Sequence, residues 1–231
     1  MNTPTVVTML TFLLLPVFPL PADTNPKWDL EYAATMEPDR ENAVDKRDGS
    51  KVSFQKPAKE NYDLVVQQDG LDFFFRGAGV FVLEPEGEAI SFDHNTLGFR
   101  LRLDKTDNRI EPPTKNTSAV CLQVGESRAD DPGMYVVGFY TDFEDGANYV
   151  VLEGRETTIP HAIGSEFHDY RVVARGNSIA LFVDGESVGE VAPRRGVNLP
   201  GIRFGNARGS DHTGQATLGH LRMSFGEALD P

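Results

Sequence analysis

The stretch Asp169-Tyr170-Arg171-Val172-Val173-Ala174-Arg175-Gly176-Asn177-Ser178-Ile179-Ala180-Leu181-Phe182-Val183-Asp184-Gly185-Glu186-Ser187-Val188-Gly189-Glu190-Val191 decides the fold. It reads as three short strands, Tyr170 to Ala174, Ile179 to Val183 and Ser187 to Val191, joined at Gly176-Asn177 and Asp184-Gly185. Such pairs supply the positive φ angles that tight hairpin turns demand, so the spacing predicts a β-meander. Successive strand side chains point to opposite faces. Tyr170, Val172 and Ala174 therefore share one face, and Arg171, Val173 and Arg175 the other. In the next strand Ile179, Leu181 and Val183 oppose Ala180, Phe182 and Asp184. This strand is apolar on both faces for most of its length, which predicts a strand with neighbours on either side in a packed sandwich.

The same punctuation continues outward. Tyr62 to Gln68 and Leu71 to Phe75 flank Asp69-Gly70. Gly79 to Leu83 and Ala89 to Phe92 flank Pro85-Glu86-Gly87. Met134 to Thr141 and Asn148 to Leu152 flank Glu144-Asp145-Gly146. Each is predicted as a hairpin. Glu37 to Glu60 is dense in charge and reads as a long loop with one strand at Lys51 to Phe54. No stretch of a dozen residues shows helical periodicity. About a dozen short strands in some 200 residues predict an all-β fold of two antiparallel sheets face to face.

The chain has 231 residues, with 35 acidic against 22 basic side chains and a net charge of −13. That length suits one domain. The acidic balance argues against nucleic acid or an anionic membrane as a main partner, because both recruit positive charge. One cysteine excludes an intramolecular disulfide and a Cys-rich zinc site. Cys121 lies in strand-like sequence without a thiolate-stabilising neighbour, which predicts a buried, inert thiol. The run Val6 to Leu20 carries no charge, contains Pro16 and Pro19, and is too short for a membrane-spanning helix. It reads as the apolar region of a signal peptide spanning residues 1–22 and cleaved after Ala22, although no Lys or Arg precedes it. The expectation is an exported protein (secreted, periplasmic or at the cell surface), with residues 23–231 forming one domain and no stable membrane insertion after leader removal.

Phe167-His168-Asp169-Tyr170-Arg171-Val172-Val173-Ala174-Arg175-Gly176, followed by Ile179-Ala180-Leu181-Phe182-Val183-Asp184-Gly185, resembles the concanavalin A-like, laminin-G-like jelly-roll domains. Gly201-Ile202-Arg203-Phe204-Gly205 and the closing strand Ala216 to Phe225 extend the resemblance. It implies a jelly-roll β-sandwich. The superfamily includes glycan-binding modules, adhesion modules and glycoside hydrolases, so it does not imply one activity.

The Glu-x-Asp-x-x-Glu strand signature of laminarinase-like hydrolases is absent. Its nearest counterpart is Tyr140-Thr141-Asp142-Phe143-Glu144-Asp145, whose acids fall at a hairpin tip, and Asp and Gly populate such turns readily. Glu84, Glu86 and Glu88 surround Pro85 and Gly87 in a loop. There is no phosphate-cradling glycine loop, no His-Glu-x-x-His, and no Gly-x-Ser-x-Gly. No cofactor is demanded. The resemblance makes calcium a candidate, and Asp130, Asp131, Asp142, Glu144 and Asp145 are oxygen-rich loop residues of the kind calcium prefers.

A sugar presents an apolar face and a hydroxyl rim, so its site needs a ring beside polar groups. Tyr140 and Tyr149 flank one hairpin with Asp142, and Arg171 is a further contributor. Arg175 and His168 are other donors on the meander. The alternative for both tyrosines is a half-buried role within the sheet. The sequence reading is thus an exported, non-catalytic binding module for glycan, with ligand-binding residues Tyr140, Asp142, Tyr149 and Arg171. Its rivals are a hydrolase or lyase of the same fold, and an adhesion or structural module that binds a protein or another extracellular ligand.

Overall fold

Alternating apolar residues make the core. Leu97, Phe99, Leu101 and Leu103 point inward from one long strand, and Leu218, Leu221 and Met223 point inward from another. The computed structural model describes residues 28–37, 43–45, 52–85, 90–107, 120–126, 130–142, 145–206 and 213–226. The expected leader and its cleavage point, with Glu86, Glu88 and Glu144, lie outside them.

The larger sheet contains β1 (Leu30–Tyr32), β2 (Ala43–Asp45), β4 (Tyr62–Gln67), β5 (Gly70–Phe75), β7 (Asn95–Asp107), β12 (His168–Arg175), β13 (Ser178–Val183), β14 (Glu186–Val191) and β17 (Thr213–Phe225). Its order is β14-β13-β12-β7-β17-β1-β2, with β5 also on β17 and β4 on β5. The smaller sheet has β11 (Thr158–Ile163), β10 (Asn148–Glu153), β9 (Gly133–Thr141), β8 (Val120–Gly125), β16 (Gly201–Asn206), β6 (Gly79–Pro85) and β3 (Val52–Gln55) in that order, with β15 (Arg194–Arg195) against β9. Every pairing among the described residues is antiparallel, as in a two-sheet jelly roll. Between the sheets Phe73 meets Phe204 edge-on at 4.9 Å and Phe99 meets Phe139 edge-on at 6.1 Å, while within the larger sheet Phe99 stacks on Tyr170 at 4.8 Å. Aromatic pairs in these geometries add to the stabilisation from burial alone.

The meander forms as predicted. Tyr170 opposes Val183, Val172 opposes Leu181, and Leu181 and Val183 are buried in the core. Asp184 and Gly185 both have positive φ, +51 and +85, which is the type I′ pattern that matches strand twist. The Met134 and Asn148 arms pair as β9 and β10.

Three expectations change. In the β4–β5 hairpin Gln67 pairs with Gly70, so the turn is Gln68-Asp69 rather than Asp69-Gly70. Gly70 has a different role: a Cβ there would strike the Leu218 carbonyl oxygen of β17. β6 pairs with β3 and β16, not with Ala89 to Phe92. Ile90 and Phe92 are buried but extend no ladder, because their apolar surface fills the core instead. The long Glu37–Glu60 loop contains β2 as well as β3, each recruited by a sheet edge.

The outer face of the smaller sheet is partly covered. Val197 and Leu199 pack on Cys121, Met134 and Val136. This strap is tied down by arginines: Arg195 donates to the buried Glu126, and Arg194 donates to the buried Glu153 at 2.7 Å. Glu126 also accepts from the backbone N–H groups of Phe92 and Gly133 at 2.9 and 2.7 Å. Cys121 is buried, as expected, and donates to the Gly205 carbonyl at 3.2 Å.

Candidate functional site

The larger sheet turns a charged and aromatic surface outward. One cross-strand row runs Phe182 (β13), Arg171 (β12), Gly98 (β7), Arg222 (β17) and Glu31 (β1). The next row holds Asp169, Arg100 and His220. All these residues point outward because their chain neighbours Val172, Leu97, Phe99, Leu221 and Met223 fill the core. On the far side of the first row, Val173, Thr96 and Ser224 share the outward face yet are buried.

Gly98 creates the space. A Cβ at this position would lie 2.6 Å from the Trp28 ring, so the absence of a side chain lets the indole descend onto the strand. Trp28, Gly98, Arg171, Phe182, His220 and Arg222, with Asp169 and Asp184 at one end, line a groove of about 510 Å³. Trp28 is the only tryptophan in the chain.

The charges are ordered by neighbours. The Arg100–Asp169 pair spans 3.6 Å, and Arg222 lies 3.9 Å from Glu31, at the outer limit of an ion pair. Arg100 and Arg102 lie 5.2 and 5.0 Å from the Phe167 ring centroid, within cation–π range. Asp184 accepts from the Asp169 N–H at 2.9 Å and from His168 Nδ1 at 2.6 Å, while the Gly164 N–H donates to His168 Nε2 at 3.1 Å. Those two contacts fix the tautomer with the proton on Nδ1. Burial works against the charge on Asp184, but the hydrogen bonds from His168 and the Asp169 backbone outweigh it and hold its pKa below the ordinary value. Burial, then the positive charge of Arg222, lowers the pKa of His220. It faces the groove as a neutral imidazole near pH 7.

The four residues expected from sequence do not form one site. Tyr140 and Tyr149 are directly opposite on β9 and β10, with rings stacked at 5.1 Å and 8°. Their core-facing neighbours Phe139 and Val150 place them on the outer side of the smaller sheet. Arg171 is on the outer side of the larger sheet, and sheets packed about 10 Å apart put the two surfaces on opposite sides of the molecule. Tyr140 is only 5% exposed beneath Tyr149, and burial, with the nearby Tyr149, pushes its hydroxyl up to about 12. Tyr149 is half-buried and is the accessible ring of the pair. Asp142 caps the turn, with its side chain 3.4 Å from the Asp145 N–H, and Asp145 accepts from Ala147 N–H at 2.8 Å. His168 is occupied by Asp184 and is no groove donor.

Among the described residues no group of three or more His, Cys, Asp or Glu is placed to hold a metal ion. Asp130 and Asp131 are exposed, and Asp142 and Asp145 serve their own turn.

Sequence reasoning did not single out Trp28, Gly98, Phe182, His220 and Arg222, which line the groove. The alternation Leu97-Gly98-Phe99-Arg100-Leu101-Arg102-Leu103 was a usable signal that Gly98 and the arginines share the outward face. Nothing local places Trp28 against Gly98, seventy positions along the chain.

No protein-family model and no curated protein matches this sequence. Solved structures do match. The binding domain of botulinum neurotoxin DC, in complex with SialylT, aligns with a TM-score of 0.53 at 11% identity, over 87% of this chain and 47% of that one. The receptor binding domain of botulinum neurotoxin type G aligns at 0.50 and 10%, over 89% and 49%. This chain spans about half the length of either domain. The fold is the concanavalin A-like jelly roll. A PL7 alginate lyase from Zobellia galactanivorans also aligns, at 0.46 and 12% identity, over 86% of this chain and 94% of that one. At these identities the concanavalin A-like likeness establishes architecture, and the activity has to be argued from the groove.

Proposed function

We propose that this chain is an exported, non-catalytic carbohydrate-binding module whose site is the groove on the outer face of the larger sheet. The observation that carries the reading is the Trp28 ring set on Gly98 beside Arg171, Arg222, Asp169 and His220. An indole offers an apolar surface to the C–H face of a sugar, and the flanking arginines and carboxylates can hydrogen-bond its hydroxyl rim. A few such groups converging in a concave site are the usual mark of a small-molecule pocket. The likeness to a toxin binding domain in complex with SialylT is consistent with this use of the fold. One ring and a few solvent-competed hydrogen bonds give affinities of about −4 to −8 kcal/mol, millimolar to micromolar.

Export rests on the uncharged run ahead of Asp23. The Tyr140–Tyr149 stack with Asp142 is a second location, because Tyr149 is only half-buried. Glycan-array screening of the mature protein, with and without calcium, followed by calorimetry, tests the reading. Trp28→Ala is expected to abolish binding and Tyr149→Ala to leave it intact. The reverse pattern moves the site to the tyrosines. Steady release of reducing ends or of unsaturated sugar would identify the hydrolase or lyase that is the alternative, with Asp169 the first acid to replace.

A further inference from the structure

Strand β4 lies at an edge of the larger sheet and runs out from under the sandwich. It pairs with β5 on one side and with no other strand among the described residues. Tyr62, Leu64 and Val66 share its core-facing side, opposite Phe75, Phe73 and Leu71. Tyr62 is buried, Leu64 packs against the core, and Val66 is 64% exposed. Val65, on the other face, is 54% exposed. Two adjacent valines thus stand in solvent, one on each face of the same strand. Leu64 to Gln68 carries no charge and no proline, and β4 pairs with β5 without a bulge. Such an edge invites pairing with another strand, and sheet edges are ordinarily blunted against it. The edges at the other side of the molecule are blunted. β14 carries Glu186 and Glu190 with a register shift against β13, and β11 carries Pro160, which has no N–H to donate.

The hydrogen-bonding phase fixes what this edge presents. The Arg76 N–H donates to the Asn61 carbonyl at 2.9 Å, and the two-residue turn closes on Gln67 and Gly70. Hydrogen-bonded pairs alternate along an antiparallel ladder, so Asp63 and Val65 also bond toward β5. The N–H and C=O groups of Tyr62, Leu64 and Val66 therefore point away from the sheet. We propose that this edge binds the same edge of a second copy of the chain, antiparallel, with Val65 opposite Val65 of the second copy on the two-fold axis. In that register Leu64 lies opposite Val66. Both have outward-pointing backbone groups, so the ladder continues from one molecule into the other. Val66 gains an apolar neighbour that its own sandwich does not supply, and the two copies of Val65 cover each other. Asp63 falls opposite Gln67, so no like charges are opposed, and Asp63 is already paired with Arg76. Sliding the pairing by two residues toward the turn would set Asp63 against Asp69. A two-fold axis perpendicular to the sheet turns the outer faces of both copies, each with its Trp28 groove, to the same side. The pairing itself does not depend on what the groove binds.

One shared strand is a small interface, so association in the micromolar range is expected. Copies that each carry −13 repel at long range, and salt screens that repulsion, so the dimer should strengthen from low to physiological ionic strength. Sedimentation of the full mature chain over a concentration series tests the proposal, and the mass is expected to rise from one chain to two. Val65→Lys sets two like charges on the axis and is expected to raise the dissociation constant by about tenfold or more. Glu186→Lys on β14 is expected not to weaken association, and thermal melts confirm that each variant is folded. Across a non-hydrogen-bonded pair the Cα atoms lie about 4.5 Å apart, within reach of a disulfide. Val65→Cys should therefore cross-link two copies on mild oxidation and Val66→Cys should not, Cys121 being buried. A monomer at every concentration overturns the proposal and leaves an extended segment of another protein as the partner to seek at this edge. A dimer untouched by Val65→Lys overturns the assigned edge, and cross-linking through Val66→Cys but not Val65→Cys overturns the register.

Discussion

Leu181 and Gly98 show how single residues set this molecule. Leu181 has no exposed surface and sits where the meander meets the core. Leu181→Ala should cost about 2–5 kcal/mol in a denaturant titration, as buried large-to-small changes do. A loss under about 0.5 kcal/mol would make the strand peripheral. Gly98→Ala behaves differently. The new methyl would meet the far end of the Trp28 ring at 2.6 Å, which can swing away, so the stability cost should be small while glycan affinity falls. Unchanged affinity with a shifted Trp28 emission would separate the ring from the site. His220 gives a pH signature. Its folded pKa is below the ordinary value, so the neutral form is favoured in the fold. As pH falls below about 6.5 the unfolded chain takes the proton first, and this residue's contribution to stability declines. Its imidazole resonances should titrate below that value in an NMR series, and titration above it would contradict the burial. At this scale the sequence was informative about inside and outside, since alternation marked Leu181 as core and Arg171 as outward. It was silent on which outward residues meet, because that depends on pairing between distant strands.

At the level of elements, tight turns were the most legible feature. Asp184-Gly185 adopts the two positive φ angles that its composition demands. Asp69-Gly70 misled by one position, because Gly70 is selected by the close passage of Leu218 rather than by a turn. The Ala89 to Phe92 segment misled more, since apolar content alone does not separate a ladder strand from a core-filling loop. The strap over the smaller sheet was invisible in advance, being held by Arg194 and Arg195 reaching Glu153 and Glu126 across 41 and 69 positions. Glu126 receives two backbone N–H groups as well as Arg195, so Glu126→Ala would leave two buried backbone donors unpaired and loosen the partly exposed Arg195 that ties down the strap. A loss of about 3–5 kcal/mol is expected, with Cys121 becoming reactive to thiol reagents as the strap lifts. Retained stability and a silent thiol would show the strap to be held by Val197 and Leu199 alone.

Across the whole molecule, the first and last strands among the described residues meet at the groove. β1 pairs with β17, which brings Trp28 beside Arg222, and β12 and β7 add Arg171 and Gly98. The sandwich itself was readable from short strands and turn spacing. Placement was less readable: of the four residues singled out together, Arg171 lines the groove, whereas Tyr140, Asp142 and Tyr149 lie on the opposite surface. Hairpin neighbours can be inferred from sequence, but opposition of two sheets cannot. Because Trp28 is the only tryptophan, its fluorescence reports on the proposed site without a label. The most direct measurement is a fluorescence titration of the mature protein with a glycan that calorimetry shows to bind. A saturable change in Trp28 emission, with the calorimetric dissociation constant and lost in Arg171→Gln, is the predicted result. Binding that leaves Trp28 emission unchanged and disappears in Tyr149→Ala would contradict the account.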